Sequence, residues 1–544
     1  MNTKTNILIV GAGPTGLTAS LLLSRFSIPH ILIDKRGGPN AAPAAHVINR
    51  RTMEIFRQIG LPMDEIYALD QHKDDSLSVR WAANLVSPAL AELNVTDFAD
   101  EGSDLSRERL ANISQYRLEA LLLREVLRSE TATVLLEHEW RCFSDNSKRQ
   151  SEVLTVDGSR VMIEADYVLA ADGAGSPIRK WLKIDQSGPK NLATFLALSV
   201  RAKSPKGVLL NWCIEPRFSG VTITHHPTDL TVYMRQLHEP WESEADFDDR
   251  VCKDLISKLF VGQEPELLRK DVWRMTAQVA DRFRSGRVFL VGDAAHRFPP
   301  TGGLGLNSGV VDAHNLVWKI AARLQGADDE LLGSYEQERR SVVQKNCDES
   351  LRNFRKMDEV IRAIGLDPEK ASLPARILAT APFRFLPRAM RESLLAALTY
   401  PVKRQLDRCA YDKEARAVIQ AAADNQRDHF DMPHLELGYR YGASIATALD
   451  ENRSDITSPG MRLPCISLSG EKVSSIHDLL CCQAYTLLSA GEPNIDQFES
   501  FSLPTNRVDT KSIVGRDGQL DELLGLETGN WILVRPDGHI AAYG

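Results

Sequence analysis

The first forty residues constrain the fold most. Asn6–Val10 (NILIV) is an apolar run of strand length, and Gly11-Ala12-Gly13-Pro14-Thr15-Gly16 follows at once. Leu17–Phe26 has helical spacing, and His30–Asp34 (HILID) is a second strand run that ends on an acid, with Lys35 next. Strand, glycine turn, helix, strand and acid in that order predict a dinucleotide-binding βαβ unit. Gly11 allows the tight turn, Gly13 lets the backbone approach a pyrophosphate, and Gly16 lets the helix lie close on the sheet. The unpaired N–H groups and the dipole at the helix start favour phosphate charge. Asp34 can accept hydrogen bonds from a ribose diol. A structural turn and a secretory signal peptide are the competing readings. The three spaced glycines and the second strand argue against both, and no small-residue cleavage pattern follows. By itself the unit does not choose among NAD, NADP and FAD.

At 544 residues the chain exceeds one simple core, so two or three domains are expected. A net charge of −8 offers no basic face for nucleic acid or anionic lipid. No apolar run reaches the ~18 residues that a membrane span needs. The eight cysteines are scattered, with no CxxC and no zinc-like His/Cys spacing. Reduced thiols in a cytoplasmic protein, with no metal, are the expectation.

Further along, Arg51–Ile59 and Ser114–Leu127 have helical spacing, with Ser114 placed to cap the second. Thr133–Glu137 and Ser151–Glu164 read as strands, the latter folded at Asp157-Gly158. Asp166–Ala171 is a buried-type strand that runs into Asp172-Gly173-Ala-Gly-Ser176. Ser76–Asn94 and Ala193–Leu237 are strand-rich, and Val221–His225 with Leu230–Leu237 makes a hairpin. His225 and His226 look like a metal pair only superficially, because adjacent strand residues point to opposite faces. Arg287–Val291 is a third buried strand, which ends in Gly292-Asp293-Ala-Ala-His296. After Arg297-Phe-Pro299-Pro300-Thr-Gly302-Gly303-Leu-Gly305-Leu306-Asn307, a helix is expected from about Ser308 to Leu324. Leu332–Val343 and Cys347–Ile364 continue as helices. Composition shifts near Gly438–Asp455, and a small α/β unit follows.

Three motifs taken together are far more specific than one. GAGPTG, DGAGSPIR and GRVFLVGDAAHRFPPTGGLGLN, supported by RTMEIFRQIGL, SQYRLEALL and LLGSYEQERR, resemble the single-component (group A) FAD-dependent aromatic hydroxylases, the phenol-hydroxylase-like monooxygenases. The pattern covers residues 1–345, and GYRYGASI and ILVRPDGHIAAYG resemble the longer members, which end in a thioredoxin-like domain. The resemblance implies an α/β fold, in which a Rossmann-like FAD-binding domain of the p-hydroxybenzoate hydroxylase/glutathione reductase type is interleaved with a β-sheet substrate domain. Segments 1–75, 105–185 and 278–345 would form the first, and 76–104 with 186–277 the second. A helical segment would span 346–437 and a thioredoxin-like C-terminal domain 438–544.

The same resemblance implies residue roles. Gly11, Gly13, Pro14, Thr15, Gly16, Asp34 and Lys35 would hold the ADP half of FAD, and Gln115 would lie along it. Asp172 and Gly173 would sit near the FAD and the path of NADPH or NADH. Gly292 and Asp293 would meet the ribityl chain. Pro300, Gly302, Gly303, Gly305, Leu306 and Asn307 would frame the flavin ring. Many members carry a basic residue in the loop that here reads Pro43-Ala44-Ala45-His46, so this chain departs from the pattern there. His46, Tyr233 and Arg235 are the candidates for activating or orienting a phenol, with Trp212 packing on its ring. The implied reaction hydroxylates a phenolic or polycyclic aromatic substrate with NAD(P)H and O2, through a flavin C4a-hydroperoxide. Baeyer–Villiger or epoxidising oxygenation of a polyketide-like substrate, and a non-catalytic flavin-binding protein, are the alternatives. A homodimer is a family expectation.

Overall fold

A computed structural model describes every residue except 1, 41–43, 71–76, 96–104, 145–148, 217–218, 443–457, 471–472 and 492–501. Pro43, Lys472 and most of the 438–455 composition shift therefore lie outside the described residues, as does the first residue of the Ser76–Asn94 stretch.

The cofactor layer is built as the glycine motif requires. β1 (Asn2–Val10) leads into α1 (Pro14–Arg25) and β2 (His30–Asp34), followed by α2 (Arg50–Gln58) and α3 (Gln115–Leu127). β3 (Ala132–Leu136), β4 (Arg160–Ala170) and β5 (Val288–Leu290) complete a parallel core in the spatial order β5-β4-β1-β2-β3. Ile7, Leu8 and Ile9 of β1 are fully enclosed, the burial on both faces expected of a parallel strand. α4 (Leu304–Leu324) and α5 (Asp329–Lys356) then pack against this core.

Two expectations change here. α4 starts one turn before Ser308, at Leu304, because Gly302 and Gly303 take positive φ (+95° and +63°) and set the chain directly into the helix. The break expected between Leu332–Val343 and Cys347–Ile364 falls later, at Met357, after which a short helix Asp358–Ala363 follows. α5 runs unbroken from Asp329 to Lys356, since the residues between those two runs, Gln344-Lys-Asn346, carry no breaker.

A seven-stranded sheet stands beside the cofactor layer. Its order is Glu266–Met275, Ala193–Arg201, Leu230–Leu237, Gly220–His226, Val208–Cys213, Ser78–Ala82 and Ala89–Asn94. Register places Phe195, Ala197, Met234, Val221, Trp212 and Trp81 on one face. The other face, including Leu196, Leu198, Cys213 and Tyr233, packs with helix Asp249–Leu259. Near the C-terminus a four-stranded sheet has the order Thr505–Asp509, Tyr485–Ser489, Trp531–Val534 and Ile540–Tyr543. Tyr485, Leu487, Leu503 and Leu533 form a common core with Trp318 and Ala322 of α4. Among the described residues no helix is long and apolar enough to cross a membrane, and all eight cysteines are free thiols.

Candidate active site

One cavity of about 2480 Å³ runs from the β1–α1 turn, past the start of α4, to the open face of the seven-stranded sheet. At its first end the three glycines have separate jobs. Gly11 holds φ +111°, and a Cβ there would lie 2.2 Å from the Ala171 carbonyl oxygen. A Cβ on Gly16 would lie 1.9 Å from the Gly11 carbonyl oxygen. Those two are required by packing. Gly13 has φ −80°, and a Cβ there would meet nothing within 4 Å. Nothing in the protein needs that emptiness, so it is room for a ligand approaching the backbone. Gly13, Pro14 and Thr15 line the cavity, and no side chain caps α1. Its first-turn amides are thus left for an anion.

Asp34 ends β2 as the motif requires. Its carboxylate accepts from the Ala12 N–H at 2.7 Å, the Arg36 N–H at 2.8 Å and the Arg36 guanidinium at 3.0–3.1 Å. Burial works to raise its pKa, but these donors outweigh it and hold the carboxyl below its ordinary value. Lys35 and Arg36 line the same end. Gln115 accepts from the Ala45 N–H at 3.3 Å and donates to Glu119 at 2.8 Å. Glu119, buried and lining the cavity, also accepts from the Asn40 N–H at 2.7 Å and lies 3.8 Å from Arg36. Sequence reading missed Arg36 and Glu119. The available signal was an acid one turn after Gln115, on a helix whose other buried positions are mostly apolar.

The middle of the cavity is set by two loops braced from behind. Asp293 follows the buried Gly292 and is itself exposed to the cavity. Enclosure raises its pKa, and His296 and Arg297 pull it back. Gly292 holds φ +59°, and its N–H donates to Asp312 at 3.0 Å. Asp312 also binds His296 Nε2 at 2.6 Å and the Arg339 Nε–H at 2.8 Å, all fully enclosed. His296 is therefore a structural hydrogen bonder of Asp312. Asp172 lines the cavity on the β4 side and accepts the Ile178 N–H at 3.1 Å, while its other oxygen has no hydrogen-bond partner among the described residues. Burial raises its pKa. Gly173 lies beside it with φ +80°.

Pro300, Gly302, Gly303, Gly305 and Leu306 line the cavity at the uncapped start of α4. Asn307 does not. Its side chain accepts from the Asn49 N–H (3.0 Å) and Thr52 hydroxyl (2.7 Å) and donates to the Val47 and Gly303 carbonyls (2.9 and 2.6 Å). It clasps the glycine turn to α2. Gly16 and Gly292 likewise shape the cavity from outside its lining. A Cβ on Gly292 would lie 2.6 Å from the Thr15 hydroxyl.

The third part of the cavity is the open face of the sheet, lined by Trp81, Phe195, Trp212, Met234 and Trp273. Phe195 and Trp273 stack with ring centroids 5.1 Å apart. Strand alternation corrects two of the phenol-activating candidates. Tyr233 points to the opposite face, is fully enclosed in the core under helix Asp249–Leu259, and donates to the Ser219 carbonyl at 3.2 Å. Burial pushes its phenol above the ordinary range. Arg235 shares that face by strand alternation and still lines part of the cavity. Its guanidinium is engaged by Glu242 at 2.8 and 3.0 Å and stacks on Phe247. His46 does face the cavity, and with it His225 from the sheet, a residue considered in sequence only as half of a metal pair. Their rings meet edge to face at 5.2 Å. Ser114 stands at the head of α3 without capping it, because its hydroxyl is bonded to His225 at 3.0 Å.

Known proteins share this architecture. The solved structure of the flavin-dependent monooxygenase PieE in complex with FAD and substrate is similar with a TM-score of 0.81 at 26% identity, over 99% of this chain and 96% of that one. An aklavinone-11 hydroxylase solved with FAD and aklavinone gives 0.77 at 25% identity, over 99% and 95%. The tetracenomycin A2 monooxygenase-dioxygenase of Streptomyces glaucescens is 28% identical over 98% of this chain and 92% of its own length. Two relatives from Streptomyces halstedii and Streptomyces coelicolor, at 32% and 33% identity, are matched over 62% of this chain and only 63% and 56% of their own lengths. The model of the FAD binding domain family matches residues 4–350, the stretch that carries the glycine turn, Asp34, the Gly292-Asp293 loop and α4, and the chain belongs to that family.

Proposed function

We propose that this chain is an FAD-dependent monooxygenase that uses NAD(P)H and O2 to hydroxylate a polycyclic phenol. The supporting observation is the continuity of the cavity. An ordinary small-molecule pocket holds roughly 300–1,000 Å³, whereas this one holds about 2480 Å³. That is room for a dinucleotide and a large second ligand in one space. The second ligand would lie on a wall of Trp81, Trp212, Phe195 and Trp273, suited to flat aromatic rings. One relative is named for tetracenomycin A2, and one solved neighbour for aklavinone.

FAD, when bound, supplies the redox chemistry, taking electrons from NAD(P)H and handing one oxygen atom of O2 to the ring. The residues present fit it. Asp34, with the Ala12 and Arg36 N–H groups, would hold the adenosine ribose. The uncapped amides of α1 would face the pyrophosphate across the open space at Gly13. Asp293 would meet the ribityl hydroxyls, and Pro300 to Leu306 would frame the ring. The uncapped N-terminus of α4 places a positive dipole where negative flavin charge is favoured. The apolar wall of the sheet would limit water beside the bound ring, which would protect the reaction from unproductive loss of peroxide.

The remaining parts of the reading are a cytoplasmic location, in keeping with eight free thiols, a homodimer, and a thioredoxin-like C-terminal unit that serves packing rather than redox chemistry. The test is NADPH and NADH oxidation by FAD-loaded protein with phenol, naphthol and anthraquinone panels, with peroxide assayed in parallel. Strong stimulation by tricyclic or tetracyclic phenols with little peroxide is the expected result. Stimulation by none of them, with either nicotinamide, would overturn the reading.

A further inference from the structure

The inference rests on the phenol-hydroxylase reading and concerns how the substrate loses its proton. His46 and His225 come from different layers. His46 precedes the short strand Val47–Ile48, which pairs with Ala111–Asn112, and His225 lies in the Gly220–His226 strand of the sheet. Both line the cavity, with ring centroids 5.2 Å apart and planes at 68°. Each imidazole is tied through Nδ1 to one short segment. His46 Nδ1 is 3.2 Å from Asn112 Oδ1, and His225 Nδ1 is 3.0 Å from Ser114 Oγ. The same segment is stitched to the His46 loop by its backbone. The Ile113 N–H donates to the His46 carbonyl at 2.7 Å, and the Gln115 N–H to the Ala45 carbonyl at 2.9 Å. Asn112, Ser114 and His225 are all buried. Two histidines from separate layers are thus fixed on one rigid strut at the cavity wall.

An amide oxygen only accepts hydrogen bonds. His46 Nδ1 therefore carries the hydrogen, and its Nε2 carries the lone pair. A phenol with a pKa of ~10 is neutral at neutral pH, and its ring is a weak nucleophile until the O–H bond is broken. Tyr233 and Arg235 are committed to the far face of the sheet. We propose that His46 accepts the phenolic proton and that His225, anchored by Ser114, is the positioning residue that holds the His46 ring for that transfer. In the step the phenol O–H bond breaks and its electron pair stays on oxygen. The proton forms an N–H bond at His46 Nε2, and the resulting imidazolium keeps its Nδ1–H on Asn112. The edge-to-face contact with His225 prevents the His46 ring from turning away.

The test separates proton removal from structural damage. FAD-loaded protein is titrated with 2-naphthol at neutral pH without nicotinamide, and the naphtholate absorption band is read. NAD(P)H oxidation is then compared for 2-naphthol and for a polyfluorinated naphthol that is already ionised in solution. The proteins are wild type, His46→Asn, His225→Asn and His225→Gln. Bound naphthol is expected as naphtholate in the wild type, as neutral naphthol in His46→Asn, and as a mixture in His225→Asn. Turnover of 2-naphthol falls roughly 10²-fold in His46→Asn and roughly tenfold in His225→Asn. His225→Gln, whose amide can still reach Ser114, retains more than His225→Asn. With the ionised naphthol all three variants stay within roughly threefold of wild type, since no base is then needed. Equal losses on both naphthols, or neutral naphthol bound by the wild type, would overturn the proposal. If neither naphthol binds the wild type and none of the wider phenol and anthraquinone panel stimulates NAD(P)H oxidation, the hydroxylase reading fails and the proposal falls with it.

Discussion

Arg535→Met tests whether the C-terminal sheet and the cofactor layer share one stability. Arg535 is largely buried, its side chain 11% exposed. Its guanidinium makes two bonds to Glu338 of α5, at 2.8 and 2.9 Å, and bonds Asp537 at 2.5 and 2.9 Å. It also stacks over Trp318 of α4 and over Tyr441, 5.1 Å from each ring centre. Methionine keeps much of the apolar stem and deletes the charge. Removing one partner of a buried pair costs about 3–5 kcal/mol, because the other charge is left uncompensated. Glu338 would keep the Lys319 ammonium and the Asn315 amide, both at 2.7 Å. Lys319 compensates in part, because it stays mostly charged at neutral pH and the variant removes the Arg535 charge that depresses it. Burial pulls its pKa down to about 8 even against the attraction of Glu338, with the neighbouring Arg535 charge adding to the fall. The expected loss is therefore about 3 kcal/mol. Hydrogen exchange of strand Tyr485–Ser489, which packs on Trp318, reads it as roughly 10²-fold faster opening. Adding Glu338→Gln should recover part of the loss by removing the stranded carboxylate. A loss below about 1 kcal/mol, or a double variant no better than the single, would refute this electrostatic account.

Other expected outcomes follow from the same geometry. Burial raises the Glu338 pKa, but the charges of Arg535 and Lys319 prevail and hold it at about 2, below the ordinary 4.5. Its stabilisation is complete above pH ~4.5 and is lost as pH falls towards ~2, about 3 kcal/mol in all. Glu338→Gln should flatten that part of an acid-unfolding profile, and an unchanged slope would contradict the assignment. Gly13→Ala should leave melting of the cofactor-free protein near wild type while weakening FAD retention at least tenfold, since the added carbon meets only ligand space. Gly16→Ala, whose Cβ collides with the Gly11 carbonyl, should fail to fold, and equal behaviour of the two would overturn the division between them. Tyr233→Phe should cost about 1 kcal/mol, the value of one buried hydrogen bond. It should leave substrate-stimulated NAD(P)H oxidation unchanged, and a large loss of turnover would return Tyr233 to the chemistry.

The cofactor end was legible in the sequence because its chemistry lies in the backbone and in local order. Gly11, Gly13, Gly16 and Asp34 act through turn geometry and open space, and both are encoded within one short stretch. Asn307 was legible in position but not in role. It lies in the flavin-facing motif, yet all four of its side-chain bonds go to protein atoms, three of them to the distant Val47–Thr52 region. The substrate end was not legible, because there function depends on which face of a strand a residue occupies. In the Leu230–Leu237 strand, Tyr233 and Arg235 fall on the helix side and Met234 on the cavity side, so a shift of one residue would exchange them. A register shift between Thr224 and His226 adds to this at His225. Pairing His225 with Ser114 and His46 required three segments far apart in sequence to meet. Ser114 could be read locally only as a helix cap, the commoner use of serine there.

α4 explains how the C-terminal sheet is coupled to the candidate site even though none of its described residues lines the cavity. The first turn of α4 borders the cavity, and Asp312 at its middle holds the Gly292 N–H, His296 and Arg339. Arg339 also reaches the Tyr441 hydroxyl at 3.5 Å, and Tyr441 packs on His539 with ring centroids 4.3 Å apart. Further along, Asn315, Trp318 and Lys319 meet Glu338, Arg535 and Asp537. A helix is stiff over a few turns, so its first turn cannot be positioned independently of its last. Loosening the Arg535 end would shift the α4 N-terminus, which would hold the flavin, without any substitution among the residues that line the cavity. The loop after β5 is tied to the same helix through Asp312, so Asp293 would move with it. Seen this way, the buried charges around residues 535–539 locate the two polar elements that must agree at the flavin, the Gly292-Asp293 loop and the start of α4.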